Sequence, residues 1–331
     1  MRRNMAVALL LLAAQFLLPL LLLRVAPLSS PQPEAPPADL LPMHHVSQSG
    51  GPDAQQQVRV LTEDGTVMQT TLGDYLRGVV AAEMPASFEL EALKAQAVAA
   101  RTYWASQRGT SKHPQADICT DSGCCQAHIS DEEAALNWGD RAEEYRTRIA
   151  RAVTQTDGLC VTYEGRPIQA LFFSCAPGST VDAQAVWGTA VPYLVSVASP
   201  EGEEVPNYHS QLTLTTKEFR SLVMEQYPSA DLTGPVTGWL SDFVWEPSGT
   251  VSKVSVGGLP LTGGQVRTLL GLRSACFRVT VSGDEMTFHV TGYGHGVGMS
   301  QYGANAMAAQ GKTFDQILTW YYTGAQVTPL S

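Results

Sequence analysis

Positive charge is what this 331-residue chain has least of: 21 Lys and Arg stand against 31 Asp and Glu, for a formal net charge of −10 and a pI near 5.1. A nucleic-acid binder needs a basic stripe or face, so that class is excluded. Charged side chains of both signs are also sparse, at 16% of the sequence. The 44% that are hydrophobic suffice for a sizeable core, which excludes wholesale disorder. At ~150 residues per domain, the length suits two domains or one large one. No HExxH helix is present for metalloprotease-type chemistry, and no Gly-rich loop carries the Lys-Ser/Thr ending that cradles phosphate. There is no internal repeat.

What is present is unevenly distributed. Arg2 and Arg3 precede Met5–Leu23, an uncharged apolar run broken only by Gln15 and Pro19 and closed by Arg24. Its 19 residues approach the ~20 that cross a bilayer as a helix. The basic flank predicts a cytoplasmic N-terminus and an extracytoplasmic remainder, so residues 1–24 read as a single-pass anchor in the cell membrane. A cleaved signal peptide is the competing reading. It expects an apolar stretch of ~7–15 residues and a small-residue cleavage site, and Leu22-Leu23-Arg24-Val25 offers no good one. Residues 25–57 follow as an extracytoplasmic tether, since Pro27, Pro31, Pro33, Pro36, Pro37 and Pro42 favour an extended spacer. His44-His45 within it reads as a solvated pair. The three Arg of this part are balanced by Glu34, Asp39 and Asp53, so the whole −10 belongs to the chain after Gln57.

Folding signals start at Val58–Leu61 and Val67–Thr71, two β-like runs around Glu63-Asp64-Gly65. Leu72, Leu76, Val79 and Val80 share a helical face, and Pro85 ends that helix near Met84. A second helix is expected from Ser87, as N-cap, to about Gln107, and a third over 140–156. Strand-like runs follow at Leu159–Tyr163, Ile168–Phe173 and Tyr193–Ala198. Residues 212–272 read as an inserted lobe. Phe277–Val281 and Met286–Val290 resemble a hairpin, and helices over 300–310 and 314–322 close the chain, the second with a Thr313–Gln316 capping box. The mixture predicts an α+β fold of helices and short antiparallel strands, in one body or two lobes, over residues 58–328.

Three stretches carry chemistry. Glu83 lies at the predicted end of the first helix behind Val79-Val80-Ala81-Ala82. Burial and the negative helix C-terminus would both keep its carboxyl protonated, as a general acid for glycosidic cleavage requires; a solvated helix-end glutamate is the local alternative. Arg101, on the next helix, is a candidate partner or a surface arginine. In TGYGHGVGMSQYGA (Thr291–Ala304), five glycines surround His295. Their conformational freedom lets the loop hold His295 and Gln301 against a ligand, with the N-terminus of the following helix pointing at the same place. A tight strand-to-helix turn is the structural alternative. In Lys112–Ser130, His113, Cys119, Cys124, Cys125 and His128 are five candidate ligands, four of which would make a tetrahedral zinc site. Adjacent Cys124 and Cys125 cannot easily bridge each other. Disulfides are the other use of six cysteines outside the cytoplasm.

The segments VVAAEMPASFELEALKAQAVAARTY and GYGHGVGMSQYGANAMAAQGKTFDQILTWYY, with YLVSVASPEG and LTGGQVRTLLGLRSACFRV between them, resemble the SpoIID/LytB family, the stage II sporulation protein D group. The resemblance covers about 58–328. It implies a membrane-anchored lytic transglycosylase that cuts peptidoglycan glycan strands between N-acetylmuramic acid and N-acetylglucosamine during sporulation. The family's Glu-Met-Pro glutamate falls on Glu83 as general acid and then base. Its arginine falls on Arg101 and its Gly-rich motif on 294–301, which implies substrate contacts from Arg101, His295 and Gln301. Peptidoglycan, a peptidoglycan amidase and other sporulation membrane proteins are the implied partners, with no nucleic acid. The family's zinc pattern implies a structural zinc held by His113, Cys119, Cys124 and Cys125, with Cys124 replacing a histidine. At Leu171–Thr180, Phe173 and Pro177 replace a histidine and a glycine, so any contact made by that histidine is absent here. Non-catalytic glycan binding that enhances an N-acetylmuramoyl-L-alanine amidase is the alternative implied function. Metal-dependent hydrolysis at the Cys-rich loop is a third reading; it needs an open metal position and a nearby base, and no HExxH-type helix exists.

Overall fold

The computed structural model describes residues 50–110 and 112–330, and all that follows concerns these. The expected anchor, the tether up to residue 49 and the His44-His45 pair lie outside the described residues. No helix among the described residues is long and apolar enough to cross a membrane.

The end of the expected tether is folded. Pro52–Gln55 forms a short helix, and Gln57 already opens the first strand. Asp53 is buried, because its carboxylate meets the guanidinium of Arg101 in the long helix Leu90–Gln107. An ion pair this deep fixes the chain from residue 52 onward.

Gln57–Leu61 pairs antiparallel with Val67–Thr71 and parallel with the two-residue strand Ile118–Cys119. The Thr71 hydroxyl accepts from the Asp74 N–H and starts the helix Leu72–Glu83, which buries Leu72, Tyr75, Leu76, Val79 and Val80. Met84 leaves the helix in an extended conformation, as a residue before proline must. The long helix begins at Leu90 with Glu89 as its N-cap, two residues later than the Ser87 signal predicts. Phe88 N–H turns back to the Pro85 carbonyl, and Glu89 N–H donates to Asn305 at 2.8 Å, so tertiary contact delays helix entry. From Ala92 to Trp104 this helix is almost wholly buried, with Ala142–Gln155, Gln301–Ala309 and Phe314–Tyr321 packed around it. An additional helix, Asp131–Trp138, starts from a Ser130–Glu133 capping box.

A second apolar cluster runs from Phe219 to Val290, separate from the first. It is built from the helices Thr216–Gln226 and Gly263–Leu270 and two antiparallel three-stranded sheets. One sheet contains Leu240–Trp245, Val251–Val256 and Leu259–Leu261; the other contains His209–Thr215, Glu285–Thr291 and Phe277–Ser282. The hairpin Phe277–Ser282 and Glu285–Thr291 thus packs with residues 212–272. The fold is α+β, but not every strand pair is antiparallel. Ile118–Cys119 and Met299–Ser300 pair parallel with Gln57–Leu61 and Phe172–Phe173. Tyr193–Ala198 forms no strand; only an isolated bridge joins Ala198 to Ser179.

Candidate active site and metal cluster

Glu83 is the last residue of its helix and is half-buried in a cleft of about 560 Å³. Its Oε1 accepts the Ala127 N–H at 2.8 Å, and its Oε2 accepts the Gln301 side-chain amide at 3.3 Å. Burial raises the carboxyl pKa above its ordinary 4.5, although both hydrogen bonds pull the other way. Loss of hydration therefore outweighs two donors. Glu83 is the sole carboxyl among the described residues lining the cleft.

Gln301 and His295 arrive on the Gly-rich segment, held in place by the parallel pairing of Met299 with Phe172. Gly298 has φ +81, and a Cβ there would collide with the Leu171 carbonyl oxygen. Gly294 has φ +117, and its Cβ would lie 2.7 Å from that of Phe173. Beneath Gln301, the Ser300 hydroxyl bonds to the buried carboxylate of Glu201, which also accepts from Ala176 N–H and the Ser199 hydroxyl. Glu201 is a positioning residue that the sequence reading missed. It lies in the SPEG segment, but nothing local distinguishes it from a solvated loop acid.

His295 lines the cleft as a neutral ring. Its Nε2 bonds the Phe172 carbonyl at 3.1 Å and its Nδ1 accepts from Val297 N–H at 3.1 Å. Burial, helped by nearby Arg267, pushes its pKa down to about 4. Both nitrogens are committed to backbone, so it offers a ring face rather than a charge. The expectation that the following helix presents free N–H groups here is not met, because Tyr302 N–H bonds to Ser174 O and Gly303 N–H to Ser300 Oγ.

Arg101 is not in the cleft. It is fully buried, with Nε 2.9 Å from Asp53 Oδ1 and Nη1 3.0 Å from the Leu159 carbonyl. The expected sugar contact is thus replaced by a structural ion pair. The sequence could not reveal it, because Asp53 lies 48 residues away in what reads as tether.

His113, Cys119, Cys124 and Cys125 converge, with their ligand atoms all within 4.8 Å of one another. Four donors around one zinc at ~2.0–2.3 Å lie roughly 3.5–3.8 Å apart, so the cluster fits one tetrahedral metal after small adjustments. His113 Nε2 to Cys125 Sγ, at 3.3 Å, is already close to that spacing. His128, the fifth candidate, is not a ligand; its ring stacks on Tyr75 with centroids 5.5 Å apart. All six cysteines are free thiols, Cys160, Cys175 and Cys276 lying outside the cluster. Cys124, Cys125 and Ala127 also wall the cleft, so the cluster's loop delivers the N–H that Glu83 accepts.

A single half-buried carboxyl at a helix end is thus bonded to a Cys/His-clustered loop on one side and to a Gly-rich segment on the other. The stage II sporulation protein (SpoIID) family profile matches residues 62–163. The stage II sporulation protein D of Bacillus subtilis (strain 168) is 39% identical over 270 residues, 81% of this chain and 77% of that protein. That of Bacillus amyloliquefaciens is 38% identical over the same shares. An amidase enhancer of Bacillus subtilis (strain 168) is 29% identical over 76% of this chain and 40% of its own length. The chain belongs to the SpoIID family.

Proposed function

We propose that this protein is a lytic transglycosylase of peptidoglycan, acting in sporulation from the outer face of a membrane to which residues 1–24 anchor it. One observation carries the reading: Glu83 is alone as a carboxyl among the described residues of its cleft, and burial keeps it protonated above its ordinary range. Hydrolytic glycosidases generally require two carboxyl groups. A single one suffices when the substrate supplies its own nucleophile. Glu83 protonates the glycosidic oxygen between N-acetylmuramic acid and N-acetylglucosamine. As carboxylate it then takes the proton of the muramoyl 6-hydroxyl, which attacks C1 and closes a 1,6-anhydro ring. Gln301 and Ala127 N–H hold the carboxyl in place and stabilise its ionised form. Neutral His295 shapes the wall.

His113, Cys119, Cys124 and Cys125 would hold a zinc ion. Four protein donors leave no open position, so the metal's contribution is to fix the loop that carries Ala127. The test is product analysis by mass spectrometry on glycan strands. Wild type should release 1,6-anhydromuramoyl ends, and Glu83→Gln should not; reducing ends from the wild type would refute the reading.

Similarity to a protein described as an amidase enhancer supports a second reading, glycan binding that stimulates a peptidoglycan amidase, with other sporulation membrane proteins nearby. Amidase stimulation that survives Glu83→Gln, without anhydro product from the wild type, would select it.

A further inference from the structure

Glu83 accepts two hydrogen bonds, and different parts of the molecule fix the two donors. The loop of the cysteine cluster carries Ala127 N–H, while the Gln301 amide belongs to the first residue of the helix Gln301–Ala309. At 3.3 Å the Gln301 bond is already long. A further displacement of about 0.3 Å would forfeit it.

A buried polar network seats the start of that helix. Glu201 is 4% exposed and has no cation partner among the described residues. A carboxylate taken from water without a cation must be compensated by donors. Ala176 N–H reaches Oε1 at 2.7 Å, the Ser199 hydroxyl reaches Oε2 at 2.6 Å, and the Ser300 hydroxyl meets Oε1. The Ser199 proton is thereby used. The fully buried Tyr321 hydroxyl, 2.6 Å from Ser199 Oγ, must therefore donate to it. Protons along the network have one order, from Tyr321 to Ser199 to Glu201.

Ser300 has a single hydroxyl proton and two acceptors in reach, Glu201 and the Ser174 carbonyl at 3.3 Å. The closer, charged acceptor wins. With its proton directed there, Ser300 Oγ turns a lone pair to Gly303 N–H at 3.2 Å and caps the helix. Gly303 permits the fit, since a Cβ there would collide with the Tyr321 and Ser199 hydroxyls and with Glu201 Oε2.

We infer that the reaction at Glu83 depends on Glu201 as a positioning residue: by holding Ser300 it fixes the Gln301 amide against the catalytic carboxyl, with Ser199 and Tyr321 completing the support. The inference rests on the proposed acid–base role of Glu83 and adds which buried groups set its rate. Glu201 is not among the residues lining the cleft, so its effect falls on turnover and not on affinity.

The experiment measures steady-state cleavage of glycan strands by the full chain. Glu201→Gln keeps the size of the side chain but brings an amide donor into a site built of donors. It should lower kcat on the order of tenfold with KM unchanged, as a misplaced catalytic contact does. Gln301→Ala should lose a similar factor. The double variant should be no slower than Gln301→Ala alone, because both changes remove one contact; independent structural damage would multiply instead. Ser300→Ala cuts the same link from its other end and should show the same non-additivity. It carries the test if Glu201→Gln does not fold, which melting temperatures check. Wild-type kcat in either folded variant, a change in KM alone, or multiplied losses overturns the role of Glu201 and leaves Glu83 chemistry standing. Absence of anhydro product from the wild type overturns both.

Discussion

Ala127 donates its backbone N–H to Glu83 at 2.8 Å, and this bond ties the cysteine cluster to the candidate catalytic carboxyl. Cys125, two residues before Ala127, is a member of the cluster. Whatever clamps the cluster therefore sets the position of one of the two donors that Glu83 accepts.

Chelation should act on fold and activity together. Stripping metal, or substituting Cys125→Ser, is expected to lower the melting temperature and cut glycan cleavage by ~10-fold or more, as loss of a positioning contact does. Returning zinc, measured at one bound ion per chain, should restore both in the wild type. Lost cleavage at an unchanged melting temperature would argue against a structural metal.

Glu83→Gln should remove cleavage by ~10²-fold or more, in the range of a lost general acid. It should also stabilise the protein at neutral pH. The native state binds this proton more tightly than the unfolded chain, so stability falls as pH rises from 4.5 through the raised native pKa. The variant escapes that loss. Thermal melts should coincide near pH 4 and separate, with the variant higher, as pH increases; parallel melts across the range would contradict the burial of Glu83.

His295 sets an acid limit of the opposite kind. The unfolded imidazole takes a proton near 6.5 and the native one only at about 4, so this group's contribution is complete above 6.5 and is lost as pH falls towards 4. A His295→Gln variant should show a shallower decline of stability over that window. An equally steep decline would mean that His295 is not held neutral.

Arg101 variants should fail through folding rather than catalysis. Removing either Arg101 or Asp53 leaves a buried charge alone, at a cost of about 3–5 kcal/mol. Arg101→Met and Asp53→Leu should each lower the denaturation midpoint, while the double variant recovers much of the loss and retains cleavage. Full stability in Arg101→Met with abolished cleavage would place the guanidinium in the reaction instead.

Gly298→Ala should destabilise the Gly-rich segment by about 2 kcal/mol or more, because a positive φ and a clash with Leu171 O coincide there. Gly311, also at positive φ but with open space around it, should lose less on the same change. Urea titrations of the two variants give the comparison.

Much of this was legible locally. Helix ends at Thr71, Met84 and Thr313 follow from caps and from proline, which act within a few residues. The Ser130–Glu133 box was equally readable and would have revealed the helix Asp131–Trp138. The four-residue cluster was accessible too, since all its donors lie within 13 residues and close a short loop. Arg101 was not, because its role depends on a partner across 48 residues. Nor was the neutrality of His295, which rests on burial and on the nearby charge of Arg267, both of which only the folded chain supplies.

The sequence alone determined an α+β chain with a helix-end glutamate, a Gly-rich loop and a ligand-dense loop, because propensity, capping and spacing are short-range. Tertiary structure decided which of those side chains meet. It brought Gln301 to Glu83 across 218 residues and withdrew Arg101 into the core. Such outcomes depend on desolvation and on long-range packing, which no local window of residues contains.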